Sequence, residues 1–385
     1  MSKQTWDIFC QVIDNFGDIG VCWRLARQLA NEHNLHVRLW VDDLLSFKSI
    51  CPAVDLIKNQ QVEGVDIFEW DTPFSAPKEA ADVVIEAFAC ELPAIYIQQM
   101  VTSRNQGNTP IWLNLEYLSA ERWVEDCHRL SSIHPDSGLE KTFFFPGFTA
   151  KTGGLLHEGA LQQRRLNFLQ DPNAQQTLLT TLGVTLSPGS RLISLFAYEN
   201  SSIDSLLEAW KSDSTPIHCL VPAEKIVSSI EQHFGRSLSV GQSIQEGNLT
   251  LSVIPFISQP EYDQLLWLCD LNFVRGEDSF VRAQLAGRPM VWHIYPQDDD
   301  AHIQKLKAFL KLYTQDLVAP LDQQLSHLWE RWNTYQDMAQ SWAFLSTHFD
   351  QFDQHSQAWS DTLFKQNDLA QNLLYFCTKK TIENS

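Results

Sequence analysis

One feature limits the fold of this chain more than any other: an alternation of strand-like and helix-like segments that occurs twice. Short apolar runs are separated by longer stretches of helical periodicity, first over residues 6–115 and again beyond 184. Near-continuous apolar runs of this kind fit parallel strands buried on both faces by helices. Strand candidates in the first half are 6–13 ("WDIFCQVI"), 36–41 ("HVRLWV"), 65–68, 83–87 ("VVIEA"), 94–97 and 111–115. The helix candidate 21–34 carries Val21, Cys22, Leu25, Ala26 and Leu29 at i, i+3/i+4 spacing. In the second half the strand candidates are 192–197, 217–221, 249–257, 271–274 and 290–294.

A Pro- and Gly-marked stretch, "FFFPGFTAKTGGLLHEGAL", and a polar helical segment, 162–182, separate the two halves. The boundary is therefore expected near 183, with one α/β domain over 1–183 and another over 184–360. A chain of 385 residues is long enough for two such cores. In doubly wound sheets ligands bind outside the carboxyl ends of the strands, so loops of both halves are expected to face a central cleft. The tail beyond 321 is helical and carries Trp329, Trp332, Trp342, Phe349, Phe352 and Trp359, read here as packing surface.

Composition removes several function classes. The net charge of −19 and the absence of any Lys/Arg run longer than a pair argue against nucleic acid as a partner. No apolar run approaches the ~18 residues that cross a bilayer, and "MSKQTWDIFC" lacks the regions of a signal peptide, so a cytoplasmic protein is expected. The eight cysteines include no CxxC pair and read as buried reduced thiols. No GxSxG, Walker-type or GxGxxG motif occurs, which takes the main support from hydrolase, NTPase and dehydrogenase readings.

Two turns carry chemistry. "DNFGDIG", 14–20, follows the first strand and places Asp14 and Asp18 in a glycine-bearing turn, where two carboxylates would repel a phosphate. Either one aspartate caps the following helix, or the pair serves as a general base or holds a cation. "RGEDS", 275–279, sets Arg275 and Gly276 at the start of a helix. Its amides and the helix dipole suit a diphosphate, whereas Asp278 or Ser279 would equally serve as a cap. "QDDDAH" (Asp298, Asp299, Asp300, His302) offers oxygen ligands for a divalent metal, or simply acids at a helix start. His157, His293 and His302 have no metal-ligating partner at i+4.

The combination of "DNFGDIGVCWRLARQLA", "FFFPGFTAKTGGLL" and "PFISQPEYDQLLWLCDLNFVRGEDSFVRAQLAGRPMVWHIYPQ" resembles the EarP family, bacterial protein-arginine rhamnosyltransferases that modify translation elongation factor P. The likeness spans nearly the whole chain in order. It implies an α/β GT-B glycosyltransferase fold: two Rossmann-like domains, the second binding the nucleotide-sugar, and a last helix, about 361–385, returning to the first domain. It implies dTDP-β-L-rhamnose as donor, elongation factor P as acceptor, inversion at the anomeric centre, and no metal or other cofactor. The essential aspartate pair carries over to Asp14 and Asp18, and the essential glutamate to Glu277. Donor contacts carry over to Asn15, Phe16, Gly17, Tyr198, Gln259, Arg275, Gly276, Glu277, Asp278 and Ser279. Phe256 is placed against the thymine ring, although an aromatic in "IPFI" also suits a core.

Of the aspartate pair, Asp18 is read as the general base and Asp14 as the group that orients the guanidinium or supports the loop, a division the sequence itself does not decide. A guanidinium stays protonated in ordinary conditions, so its nitrogens need help to attack. Carboxylates orient the cation and take its proton as the new bond forms. The alternatives are a nucleotide-sugar 2-epimerase of the same fold, which needs no protein acceptor, and a non-catalytic nucleotide-sugar-binding module.

Overall fold

The computed structural model describes residues 3–13, 16–71, 73–297 and 300–383. The chain forms two compact units: Met1–Gly159 with Gln366–Ser385, and Ala160–Lys365. The first runs β1 (Thr5–Cys10), α1 (Gly17–Asn31), β2 (His36–Val41), α2 (Leu44–Ile50), β3 (Asn59–Val62) and β4 (Val65–Glu69). It continues through β5 (Val83–Ala87), α3 (Ala94–Asn105), β6 (Ile111–Leu115), α4 (Trp123–Cys127), β7 (Ser131–Ile133) and β8 (Glu140–Phe144). Its strands pair in the order β3-β4-β2-β1-β5-β6-β8-β7. The six inner strands are parallel, and an antiparallel hairpin closes each edge. Residues of the central strands β1, β5 and β6 are buried almost throughout, as strands covered on both faces require. One core layer gathers Phe9, Trp40, Tyr96, Met100 and Trp112, with Phe9 and Trp40 stacked at 5.7 Å.

The second unit opens with α5 (Leu161–Leu169) and α6 (Pro172–Thr181), then β9 (Arg191–Leu195), α7 (Ile203–Lys211), β10 (Ile217–Pro222) and α8 (Ile226–Phe234). It continues with β11 (Ser243–Glu246), β12 (Leu249–Ile254), α9 (Gln259–Leu268), β13 (Leu271–Arg275), α10 (Asp278–Ala286) and β14 (Met290–His293). Four helices follow: α11 (Ala301–Tyr313), α12 (Leu321–Asn333), α13 (Ala339–Thr347) and α14 (Phe349–Leu363). The strand order is β11-β12-β10-β9-β13-β14, parallel except for the β11 edge. The aromatic tail is indeed core: Trp329 and Trp332 are inaccessible, Trp342 and Phe352 nearly so, and Phe349 carries the Arg191 guanidinium on its ring.

Three details differ from the sequence reading. Residues 94–97 lie in α3, because Pro93 takes the N-cap position and Tyr96 and Met100, one helical turn apart, are the buried pair. The units divide after Gly159 rather than near 183, since α5 packs on α9 and Arg165 donates to the Leu285 carbonyl at 2.6 Å. The third is the extent of the returning helix. Gln366 onward rejoins the first unit as α15 (Leu369–Glu383), which packs on α1 and β6. Gln28 of α1 anchors it, its amide donating to Asp368 at 3.2 Å and to the His157 carbonyl at 2.9 Å. All eight cysteines are free, and Cys127 alone among them is not fully buried. Among the described residues no helix is long and apolar enough to cross a membrane.

Candidate active site

In the first unit the strand order reverses between β1 and β5, which is where an open α/β sheet builds its site. The acidic loop leaves β1 at this point. Asp14 and Asn15 lie outside the described residues. Phe16 occupies the N-cap position of α1, Gly17 begins the helix, and the Gly20 amide donates to the Phe16 carbonyl at 2.9 Å. Asp18 therefore sits in the first turn rather than at the cap, and it is 2% exposed. Its Oδ2 accepts from the Ile13 amide at 2.8 Å, and its Oδ1 accepts from the Tyr117 hydroxyl at 3.1 Å. Both bonds fix the carboxylate near the end of β1.

Tyr117 follows β6, and its ring stacks on Phe88 at 4.4 Å. Phe88 and Ala89, just past β5, both have φ of 56°, a region that costs about 1–3 kcal/mol for a residue with a side chain. The surroundings hold them there: the Ala89 amide donates to the Asn114 side chain at 3.1 Å, and the Asn114 amide donates to Glu116. Burial pushes the Glu116 carboxyl up, against the pull of the Asn114 bond and of Lys141. Strain and carboxylates thus concentrate at the ends of β1, β5 and β6.

In the second unit the order reverses between β9 and β13, and most of the remaining expected residues meet there. Arg275 ends β13 and is 5% exposed. Its Nη2 donates to Glu224 at 3.2 Å, and its guanidinium lies over the rings of Phe196 (4.5 Å) and Tyr198 (4.9 Å). Its Nη1 is buried with no hydrogen-bond partner among the described residues. Gly276 turns the chain at φ 66°, and Glu277 takes the N-cap position of α10. Asp278 instead accepts from the Gln259 amide at 3.0 Å, and the Ser279 hydroxyl donates back to the Arg275 carbonyl. Neither Asp278 nor Ser279 stands at the cap position. Phe256 is half-buried, 6.4 Å from Phe196, so it belongs to the rim of this group and not to the deep core.

Sequence reasoning missed several members of these clusters: Tyr117, Phe88 and Glu116 in the first unit, and Phe196, Glu224 and His293 in the second. Each lies at or just beyond the carboxyl end of a strand, which was the available signal. Of "QDDDAH", Asp298 and Asp299 lie outside the described residues. Asp300 precedes α11, and His302 Nδ1 accepts from the Gln297 amide at 3.2 Å. Among the described residues no cluster of His, Cys, Asp or Glu has metal-holding geometry.

The family model for elongation factor P (EF-P) rhamnosyltransferase EarP matches residues 6–378. The chain belongs to the EarP family. It is 52% identical to a protein-arginine rhamnosyltransferase of Pseudomonas putida over 97% of this chain and 98% of the relative. A solved structure concerning EarP-mediated arginine glycosylation of translation elongation factor EF-P superposes with a TM-score of 0.71 at 39% identity, covering 98% of this chain and 99% of the other. A glycosyltransferase from Rickettsia africae, 11% identical, gives 0.53 with 100% of both chains covered, and shows the fold alone. The EarP fold is thus GT-B, with the two switch points just described as its strand-end clusters.

Proposed function

We propose that this EarP-family chain transfers L-rhamnose from dTDP-β-L-rhamnose to one arginine side chain of translation elongation factor P, inverting the anomeric carbon, in the cytoplasm. The observation that carries the reading is the charge of the two strand-end clusters. One presents a carboxylate, Asp18, pinned by the Ile13 amide and the Tyr117 hydroxyl. The other presents Arg275 at the start of α10, its Nη1 buried with no hydrogen-bond partner among the described residues. The second suits a diphosphate, and the first suits a guanidinium.

Asp18 orients the acceptor nitrogen toward the anomeric carbon. As the C–N bond forms, that nitrogen loses its resonance and becomes acidic, and Asp18 accepts its proton. The bond from the anomeric carbon to the diphosphate oxygen breaks, and its electron pair leaves with the diphosphate. Arg275 and the α10 amides meet that charge, so the reading needs no divalent cation. Asp14 supports the loop or shares the guanidinium. Because Glu224 already holds Arg275, Glu277 is assigned to hydroxyl groups of the donor. Following the family resemblance, Gln259 and Phe256 are assigned to the base, Tyr198 to the donor, and Asn15, Phe16 and Gly17 to the sugar.

The test incubates the protein with dTDP-β-L-rhamnose and elongation factor P and weighs the factor by intact mass spectrometry. A deoxyhexose increment is expected, absent when the acceptor arginine is changed to lysine and unaffected by a chelator. Asp18→Asn should abolish transfer while donor binding persists. Turnover of donor without protein acceptor would mark an epimerase, and binding without any turnover a non-catalytic module. Either result refutes the assignment.

A further inference from the structure

His293 closes β14, and in the parallel register it stands directly beside Arg275. Paired residues on neighbouring strands point to the same face of a sheet, so the two side chains share one side of the strand ends. Both also lie against Tyr198: the Arg275 guanidinium 4.9 Å and the His293 ring 5.2 Å from the phenol ring. The other ring neighbours of His293 are Trp332 at 5.6 Å and Tyr335 at 6.3 Å.

His293 is 1% exposed, and neither Nδ1 nor Nε2 has a hydrogen-bond partner among the described residues. A neutral imidazole carries one N–H donor and one acceptor, and buried polar atoms are nearly always satisfied. A histidine kept only for packing would be better served by an aromatic hydrocarbon ring among such neighbours. Burial, with Arg275 and His302 adding to it, pushes the imidazole down to about 3, so the ring is neutral at physiological pH. Beside it the Arg275 Nη1 is also buried, with no hydrogen-bond partner among the described residues. Two adjacent unsatisfied donors at one strand-end cluster call for an anion with more than one acceptor oxygen.

We infer that His293 is a second diphosphate contact, its ring N–H donating to an oxygen of the same nucleoside diphosphate that Arg275 binds. This rests on the donor reading above. The remaining ring nitrogen is left to accept from a hydroxyl of the ligand. His293 is thereby a binding residue for the donor and for the nucleotide product, which both carry the diphosphate.

The experiment titrates wild-type protein, His293→Phe and His293→Gln with dTDP and with thymidine by calorimetry. Phe keeps a flat ring among Tyr198, Trp332 and Tyr335 but removes both nitrogens; Gln keeps an N–H. His293→Phe should bind dTDP about 10–100-fold more weakly, the range for a hydrogen bond to a charged group, with thymidine binding unchanged. His293→Gln should recover part of the loss. Wild-type dTDP affinity in His293→Phe overturns the inference, as does an equal loss for thymidine, which would mark a structural role. If His293→Phe fails to fold, His293→Leu, which also removes both nitrogens, takes its place with the same ligands. A dTDP loss in Arg275→Ala with none at His293 refutes this inference alone. A wild-type protein that does not bind dTDP refutes the donor reading and the inference with it.

Discussion

Replacing Tyr117 with Phe removes one oxygen whose described role is to hold the proposed base. The hydroxyl donates to Asp18 Oδ1 at 3.1 Å, and the stack on Phe88 at 4.4 Å keeps the ring in place without it. A hydrogen bond to a charged group is worth about 1.5–3 kcal/mol net. Tyr117 is 37% exposed, so water reaches the vacated position, and the lower end, about 1–1.5 kcal/mol, applies. The expected loss in kcat at neutral pH is therefore about 5–10-fold. The bond favours the ionised carboxylate, so its loss makes Asp18 harder to ionise. A base works above its pKa; the Tyr117→Phe deficit should deepen as pH falls and shrink toward alkaline pH. Initial transfer rates at saturating donor, measured by intact mass from pH 5.5 to 9, give both numbers, with thermal melting as the control for folding. An unchanged kcat, or a deficit equal at every pH, would refute the positioning argument.

Arg275→Ala should weaken dTDP binding about 10–100-fold in calorimetry and also lower the melting temperature, because it vacates the buried space over Phe196 and Tyr198 and leaves Glu224 unpaired. His128, which accepts from the Phe145 amide at 3.1 Å, is held at about 4 by burial and by Arg129. Its unfolded form takes a proton near 6.5, so its contribution is complete above that pH and is lost as pH falls toward 4. Denaturant unfolding should show wild type losing about 2 kcal/mol more between pH 7 and 5 than His128→Asn, which keeps an acceptor without the titration. Gly154→Ala would set a Cβ 2.5 Å from the Asn367 carbonyl at φ 79° and should destabilise the first unit by about 2–4 kcal/mol. Gly107→Ala, at φ 93° with nothing within 4 Å, should lower melting far less in the same assay.

The Gly154 comparison shows what kind of information each motif carried. "FFFPGFTAKTGGLL" marks the family in the sequence, yet in the structure it is a seat for α15. The Leu369 amide donates to the Leu155 carbonyl at 2.9 Å, and the Asn372 amide to the Gly153 carbonyl at 3.0 Å. A Cβ on Gly153 would meet the Phe144 ring at 2.6 Å. No local pattern announces that partnership, because the other half lies more than 200 residues away. Most of the inner strands were legible for the opposite reason, β8, partly exposed and not read as a strand, being the exception. Burial on both faces leaves an apolar run that any window detects, whereas the edge strands "NQQV", "SSI" and "SIQE" are short, polar and invisible to it.

The same division governs the site. Asp18 and Arg275 could be singled out because each belongs to a local turn of unusual composition. Tyr117 could not, and His293 was noted only as a histidine without a metal partner, since each matters only through a residue from a different strand, met at a sheet end. Parallel pairing within each sheet sets those ends side by side, as β13 and β14 do for Arg275 and His293. What the sequence does contain is where those ends lie, and every missed residue stands within two positions of one. A reading that inspected all polar and aromatic residues just past the apolar runs would have reached Tyr117 and His293 before any coordinates. It would still not have distinguished them from Tyr295, because hydrogen bonding and burial decide that and only the fold supplies them.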